Sequence, residues 1–456
     1  MQTSSKKMGF PSLVMMGIGY IIGTGVFTML PSVIGMTGRS VCMAMLLAAV
    51  VSISSTIPTM FLSSVLDLKG GSYSQNLALF PPVVAGVFGI MQMIAYLGFA
   101  GIAVGLASYT IQLVPGISSM QKIIAMAYLI VFFLLGIKGV TLSSKLQNVM
   151  VVVLLIALGI YIFGGLPHVQ PGFFRSEGFF TGGMQGFLMA TALLSMSAMG
   201  ASSMINFTSV TKNPKRTVPL AMLTSTGLVA VFYFFIAVVT GGIVPIEQVA
   251  GKNLGVVAET YMSQPVYLFF MLGGALFALG TTLNANLAAI PYPWIKMAED
   301  GWLPKALTKR DSKFGYPYVL MGTIFVIGAI LPIVFGMDIA TITSLFSFPS
   351  FVVMTLVCLS AFRLPRLFPE RWKASIFHVP MPVFYLLMSI ATCACLFLAY
   401  SYISFLNGKT LLMALSVLVV LTIYVSWRFK AGYVKTDRED SAPKAYLYLG
   451  PRISSG

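Results

Sequence analysis

The stretch Met15-Met-Gly-Ile-Gly-Tyr-Ile-Ile-Gly-Thr-Gly-Val-Phe-Thr-Met29 is apolar enough to lie in a bilayer, yet it places Gly17, Gly19, Gly23 and Gly25 close together. Glycine weakens a helix by about 1 kcal/mol relative to alanine. Gly23-Thr24-Gly25 at mid-membrane depth therefore reads as an interruption of the helix. In lipid such an interruption persists only where the freed N–H and C=O groups face protein, water or a ligand. Small residues also let membrane helices pack closely, and on this stretch alone the two readings stand level.

The surrounding chain is a membrane protein by composition. Its 456 residues are 57% hydrophobic and only 9% charged, far less charge than a water-soluble chain of this length carries. Apolar runs separated by charges or Pro/Gly turns predict about twelve transmembrane helices, near 11–35, 41–66, 82–114, 121–137, 146–166, 181–207, 218–243, 265–298, 317–336, 339–362, 379–403 and 410–429. Residues 1–10 carry Lys6 and Lys7 but no small-residue cleavage site, and are read as a cytoplasmic tail, as are residues 431–456. Of the 28 basic residues, only Arg39, Lys122, Arg175, Lys252 and Lys409 fall on the far side of this topology. That asymmetry places both termini in the cytoplasm of a cell-membrane protein. The net charge of +16 is thus topology charge with attraction to anionic lipid, and nucleic acid is not an expected partner. Cys42, Cys358, Cys393 and Cys395 all lie in apolar runs and predict no disulfide framework.

A second interruption comes in span six, where Gly200-Ala201-Ser202-Ser203 sits inside Leu193–Val210. It lies five spans after the first, so the two segments cross the membrane in opposite directions. Paired interrupted helices in matching positions of two halves mark the central site of a transporter. This predicts an inverted repeat of five plus five spans, about 11–166 and 181–362, with two further spans at 379–429. It also decides the reading of Gly23-Thr24-Gly25 in favour of the break.

At these residues the chain resembles the amino acid–polyamine–organocation (APC) superfamily of permeases. Gly23-Thr24-Gly25-Val26-Phe27 is similar to that superfamily's first break, and Gly70-Gly71-Ser72-Tyr73 to the turn after its second span. Val210-Thr211-Lys212-Asn213-Pro214-Lys215-Arg216 resembles its basic loop after span six, and Glu299-Asp300-Gly301-Trp302-Leu303-Pro304 its close of span eight. The resemblance covers about residues 10–430. It implies an all-α LeuT-type fold of broken helices 1 and 6, moving amino acids or related amines by alternating access.

Such a site has a direct physical reading. Half-helices starting after Gly25 and after Ser203 would aim N–H groups at a carboxylate, and those ending near Ile21 and Met199 would offer carbonyls to an ammonium. The resemblance places Ile21, Gly23, Thr24 and Gly25 at the backbone end of the substrate, with Met196, Met199, Gly200 and Ser203 opposite. Tyr96 and Phe99 of span three, and Thr282 and Asn286 of span eight, would close the sides; for the two aromatics an ordinary core role stands equal. The related proton-linked permeases carry a lysine in span five. A match at Asn148-Val149-Met150 puts Leu154 there, and Ser202 stands where some exchangers have a glutamate.

All twelve acidic residues fall in loops, span ends or the tail, which argues against an internal carboxylate relay and against a dicationic substrate. A neutral amino acid is the expected small-molecule substrate, with the lipid bilayer as the other partner. No cofactor is expected. Sodium held by carbonyls of Gly19, Ile22 and Thr282 and the amide oxygen of Asn286 ranks below obligate exchange, and proton coupling stays open. An amino acid/amine antiporter, aided by Tyr20 and Asn206, is the alternative. An enzyme is not expected, because no convergent His, Glu, Asp or Ser/His set faces the spans, and a channel would need a filter or a charged ring. The carried side chain and the oligomeric state are not specified by these residues.

Overall fold

The computed structural model describes residues 7–23, 25–95, 98–137, 140–175, 179–311, 315–330, 339–405 and 408–436. Among these, the regular elements are helices, with one isolated bridge joining Met8 to Thr211. Helix α1 (Phe10–Ile21) opens with proline in its first turn, where the missing N–H would be unpaired anyway. It stops at Ile22, whose φ of −80° and ψ of 98° are extended. The chain resumes as a wide π turn over Gly25–Met29 and then α2 (Leu30–Thr37). There follow α3 (Val41–Val65), α4 (Gly71–Leu79), α5 (Pro82–Ala95), α6 (Phe99–Leu113), α7 (Gln121–Ile137) and α8 (Val140–Gly165).

The second half opens with α9 (Gly183–Ser197), which stops before Gly200 and gives way to a 3-10 helix over Ala201–Val210. Next come α10 (Pro214–Gly242) and α11 (Gln264–Phe269), which a π segment (Phe270–Leu276) joins to α12 (Phe277–Ala289) and then α13 (Pro291–Glu299). The chain closes with α14 (Tyr318–Phe325), α15 (Ile339–Ala361), α16 (Met381–Phe405) and α17 (Gly408–Lys430). Among the described residues, nine helical runs are long and apolar enough to cross a membrane, and 10–21, 318–328 and 350–361 are shorter apolar helices.

Helices α1, α3, α9, α10 and α12 form the interior, with α10 packed on both α3 and α1. Helices α7 and α17 leave most of their apolar surface outward, as lipid-facing helices do. Inside, hydroxyls are satisfied by the helix that carries them: Thr191 donates to Phe187 O at 2.9 Å, Ser195 to Thr191 O at 2.7 Å and Thr226 to Met222 O at 2.8 Å. With no water at hand, such back-bonding is the nearest available partner. Phe27, at the first interruption, packs 5.8 Å from Phe270, which stacks on Tyr161 at 4.9 Å.

The Gly70-Gly71-Ser72-Tyr73 turn starts α4, a nine-residue helix buried along its whole length. One detail differs from the sequence expectation. The second half of span six begins at Ala201 rather than after Ser203, and it is wound as a 3-10 helix. The reason is local: Gly200 alone takes the backbone turn, so Ser202 and Ser203 are already helical.

Candidate functional site

The two interruptions meet. Gly200 has a φ of +136°, and a Cβ there would sit 2.9 Å from the carbonyl oxygen of Tyr20. A Cβ on Gly25 would run into Ser197, at the end of α9. Each break therefore presses its bare backbone against the other helix, which only glycine allows at this spacing.

Carbonyls freed by the breaks are held by hydroxyls from neighbouring helices. Thr282 on α12 donates to Gly19 O at 2.8 Å and Ile22 O at 3.2 Å, sharing its proton also with Ala278 O at 3.0 Å. Tyr233 on α10 donates to Ile21 O at 3.1 Å, and Ser52 on α3 donates to Ala198 O at 2.7 Å. Each carbonyl keeps a second lone pair for another donor. Asn286 donates to Thr282 O at 2.8 Å, which turns its amide oxygen away from that carbonyl. The span-five side chain that lies against Gly19 is Gln147. Gln147 is fully buried; its Oε1 accepts from Asn284 at 2.7 Å, and Ser143 donates to Asn284 Oδ1 at 2.9 Å.

Beside this crossing opens a cavity of about 310 Å³. Tyr20, Met196, Met199, Ser202 and Ser203 form the wall nearest the breaks, with Asn286 entering from α12. Ser55 and Thr59 of α3, Ser72 and Gln75 of α4, and Gln92 of α5 form a polar wall. Phe351 and Met354 of α15 give an apolar one. Among the described residues, the lining contains no Asp, Glu, His, Lys or Arg.

Of the residues singled out from the sequence, Met196, Met199, Ser203 and Asn286 line this cavity. Ile21, Gly23, Gly25, Gly200 and Thr282 belong to the crossing beside it and are not on its wall. Phe99 is buried at the start of α6 and is also off the wall. Thr24 and Tyr96 lie outside the described residues. The oxygens of Gly19 and Ile22 both face the Thr282 hydroxyl. Sequence reasoning missed the polar wall and the capping hydroxyls. The available signal was a scatter of Ser, Thr, Tyr and Gln inside apolar spans, at Ser52, Ser55, Thr59, Gln92 and Tyr233.

Two of the sequence motifs meet behind α4. Tyr73 donates to Asp300 Oδ2 at 2.7 Å, the Trp302 indole donates to Tyr73 Oη at 2.8 Å, and Lys296 pairs with Asp300 Oδ1 at 2.8 Å. Asp300 is only 3% exposed, so its carboxylate needs these partners. At the other end of the 71–73 turn, the Ser72 N–H donates to Asn206 Oδ1 at 3.0 Å. This fixes α4 against the 3-10 half of span six.

Known proteins extend the picture. The chain is 22% identical over 409 residues to the methylthioribose transporter of Bacillus subtilis, covering 85% of this chain and 87% of that protein. It is 22% identical over 358 residues to the branched-chain amino acid permease BcaP of the same organism, covering 72% and 75%. It is 25% identical over 386 residues to the cationic amino acid transporter 3 of Arabidopsis thaliana, covering 79% and 62%. A family model described as "Amino acid permease" matches residues 8–421. Interrupted apolar helices around an uncharged cavity, and a match over nearly the whole chain, place this protein in the amino acid permease family of APC membrane transporters.

Proposed function

We propose that this permease moves neutral L-amino acids across the cytoplasmic membrane by alternating access, as an exchanger rather than a sodium-driven carrier. The carrying observation is the crossing of the two interruptions beside a cavity whose described lining holds no Asp, Glu, His, Lys or Arg. The second lone pairs of the crossing carbonyls suit an α-ammonium, and the helical turns that restart at Gly25 and Ala201 suit an α-carboxylate at their N-terminal ends. Nothing in the lining would compensate an additional charge. The proposed substrate set is the crossing (Ile21, Gly23, Thr24, Gly25, Gly200, Thr282), the cavity wall (Met196, Met199, Ser203, Asn286), and the span-three pair Tyr96 and Phe99.

The proposed architecture is twelve spans in a five-plus-five inverted repeat, with both termini in the cytoplasm. Supporting it, the three shorter apolar helices 10–21, 318–328 and 350–361 overlap the sequence limits of spans one, nine and ten. Exchange ranks above sodium coupling because Thr282 already donates to Gly19 O and Ile22 O, so a sodium ion would have only the remaining lone pair of each carbonyl.

Uptake of labelled L-amino acids into proteoliposomes tests the reading, with and without internal amino acid, sodium and a pH gradient. Uptake that requires internal amino acid is the expected result. Sodium-dependent net uptake into empty vesicles would overturn exchange. Absence of amino acid uptake under every condition would overturn the substrate class.

A further inference from the structure

The polar wall of the cavity belongs to none of the backbone machinery described above. Ser72 is 7% exposed, and its hydroxyl has no hydrogen-bond partner among the described residues although it lines the cavity. Gln75, one helical turn further along α4, is 5% exposed and lines the same wall. Gln92 on α5 accepts from Asn76 through its Oε1 at 2.9 Å, which leaves its own N–H groups to donate. Ser55 donates to Ser52 O at 2.8 Å and so offers lone pairs, while Thr59 adds a further hydroxyl.

The set thus contains donors and acceptors in balance and no charge. A buried polar group left unpaired carries its full desolvation penalty, so an apolar substituent against this wall would desolvate several such groups without return. An ammonium or carboxylate would arrive with no countercharge. The nearby ionised pair, Lys296 and Asp300, is closed on itself with Tyr73.

We infer that Ser55, Thr59, Ser72, Gln75 and Gln92 form a side-chain subsite selecting substrates whose substituent is an uncharged hydrogen-bonding group, a carboxamide or a hydroxyl. This rests on the transport reading above and narrows it, setting apolar and cationic amino acids aside. Gln75 and Gln92 are the specificity-determining residues: Gln92 offers N–H donors while Asn76 holds its Oε1, and the Gln75 amide carries both a donor and an acceptor for a planar amide.

The test uses purified full-length protein. Ligand-induced thermal stabilisation with each of the common L-amino acids identifies binders, and counterflow in proteoliposomes then ranks them by competition. L-Glutamine, L-asparagine, L-serine and L-threonine are expected to compete at least about tenfold better than L-methionine, L-leucine and L-valine, since sites built to bond a polar group reject isosteres lacking it. The key pair is L-glutamine against the nearly isosteric L-methionine. Gln92→Met with Gln75→Leu should bring that ratio close to one, and Gln75→Glu should admit L-lysine or L-ornithine. A purely structural role for Gln75 would not produce that gain.

Equal competition by polar and apolar amino acids overturns the subsite. So does a double variant that slows every substrate by the same factor, as a mere water path would. If no amino acid binds at all, the transport reading itself fails first, and that result is distinct from the other two.

Discussion

At the scale of single residues, backbone conformation rather than side-chain chemistry makes the breaks. Gly200 combines a φ of +136° with a Cβ position 2.9 Å from Tyr20 O, so Gly200→Ala incurs both backbone strain and a collision. The strain alone is about 1–3 kcal/mol. The expected outcome is a lower unfolding temperature in detergent and loss of any amino-acid-induced stabilisation; an unchanged ligand shift would remove Gly200 from the substrate crossing. Thr282 is the complementary case, where one hydroxyl holds two backbone carbonyls. Thr282→Val keeps the shape and deletes the donor, leaving carbonyls in an apolar interior at about 1–3 kcal/mol. Thr282→Ser should recover most of that stability in a thermal melt, because it restores the hydroxyl. If serine and valine behave alike, packing of the methyl group matters and the hydroxyl does not.

At the scale of elements, α4 is the piece that ties the cavity to the rest of the chain. Its first turn is bonded to Asn206 on one side and to Asp300 on the other, and its next turn supplies Gln75 to the wall. Tyr73→Phe fills the same buried volume but strips the Trp302 indole and Asp300 Oδ2 of a shared partner. A loss of about 1–3 kcal/mol is expected, read as a drop in unfolding temperature with the fold retained by circular dichroism; no change would mean that Lys296 alone suffices for Asp300. This element also marks the limit of what the residues disclosed. Glycine density located both breaks, because backbone entropy and missing Cβ atoms are written in the sequence one position at a time. Gly71-Ser-Tyr-Ser-Gln-Asn-Leu-Ala-Leu79 is nine residues long and polar over its first half, a pattern that ordinarily signals a solvated loop or surface helix. Its burial depends on what surrounds it, namely the 3-10 half of span six, α13 and the polar cavity. Local pattern does not encode that environment. The same holds for Tyr233 and Ser52, whose capping of Ile21 and Ala198 is a long-range pairing.

Across the whole molecule, charged side chains are kept off the described wall of the cavity. The cavity wall carries hydroxyls, amides, thioethers and one phenyl ring from α15, while the buried ion pair of Lys296 and Asp300 is closed behind Tyr73. A proton-coupled carrier needs a group that changes charge along the path, and histidine is the side chain whose ordinary titration falls between pH 5 and 8. Among the described residues, the lining holds neither a histidine nor a carboxylate. A neutral amino acid also keeps one charge state through that range, since its carboxyl titrates well below it and its amino group near its upper end or beyond. Exchange measured with equal pH on both sides should therefore vary less than about twofold between pH 5.5 and 7.5, and an imposed pH gradient should drive no accumulation. A sigmoidal dependence with a midpoint in that window would require a titrating group in the path, contradicting the neutral-path mechanism. Persistence of the midpoint in the Asp300→Asn variant would exclude the closed pair behind α4 as its origin and leave the substrate crossing itself as the place to search.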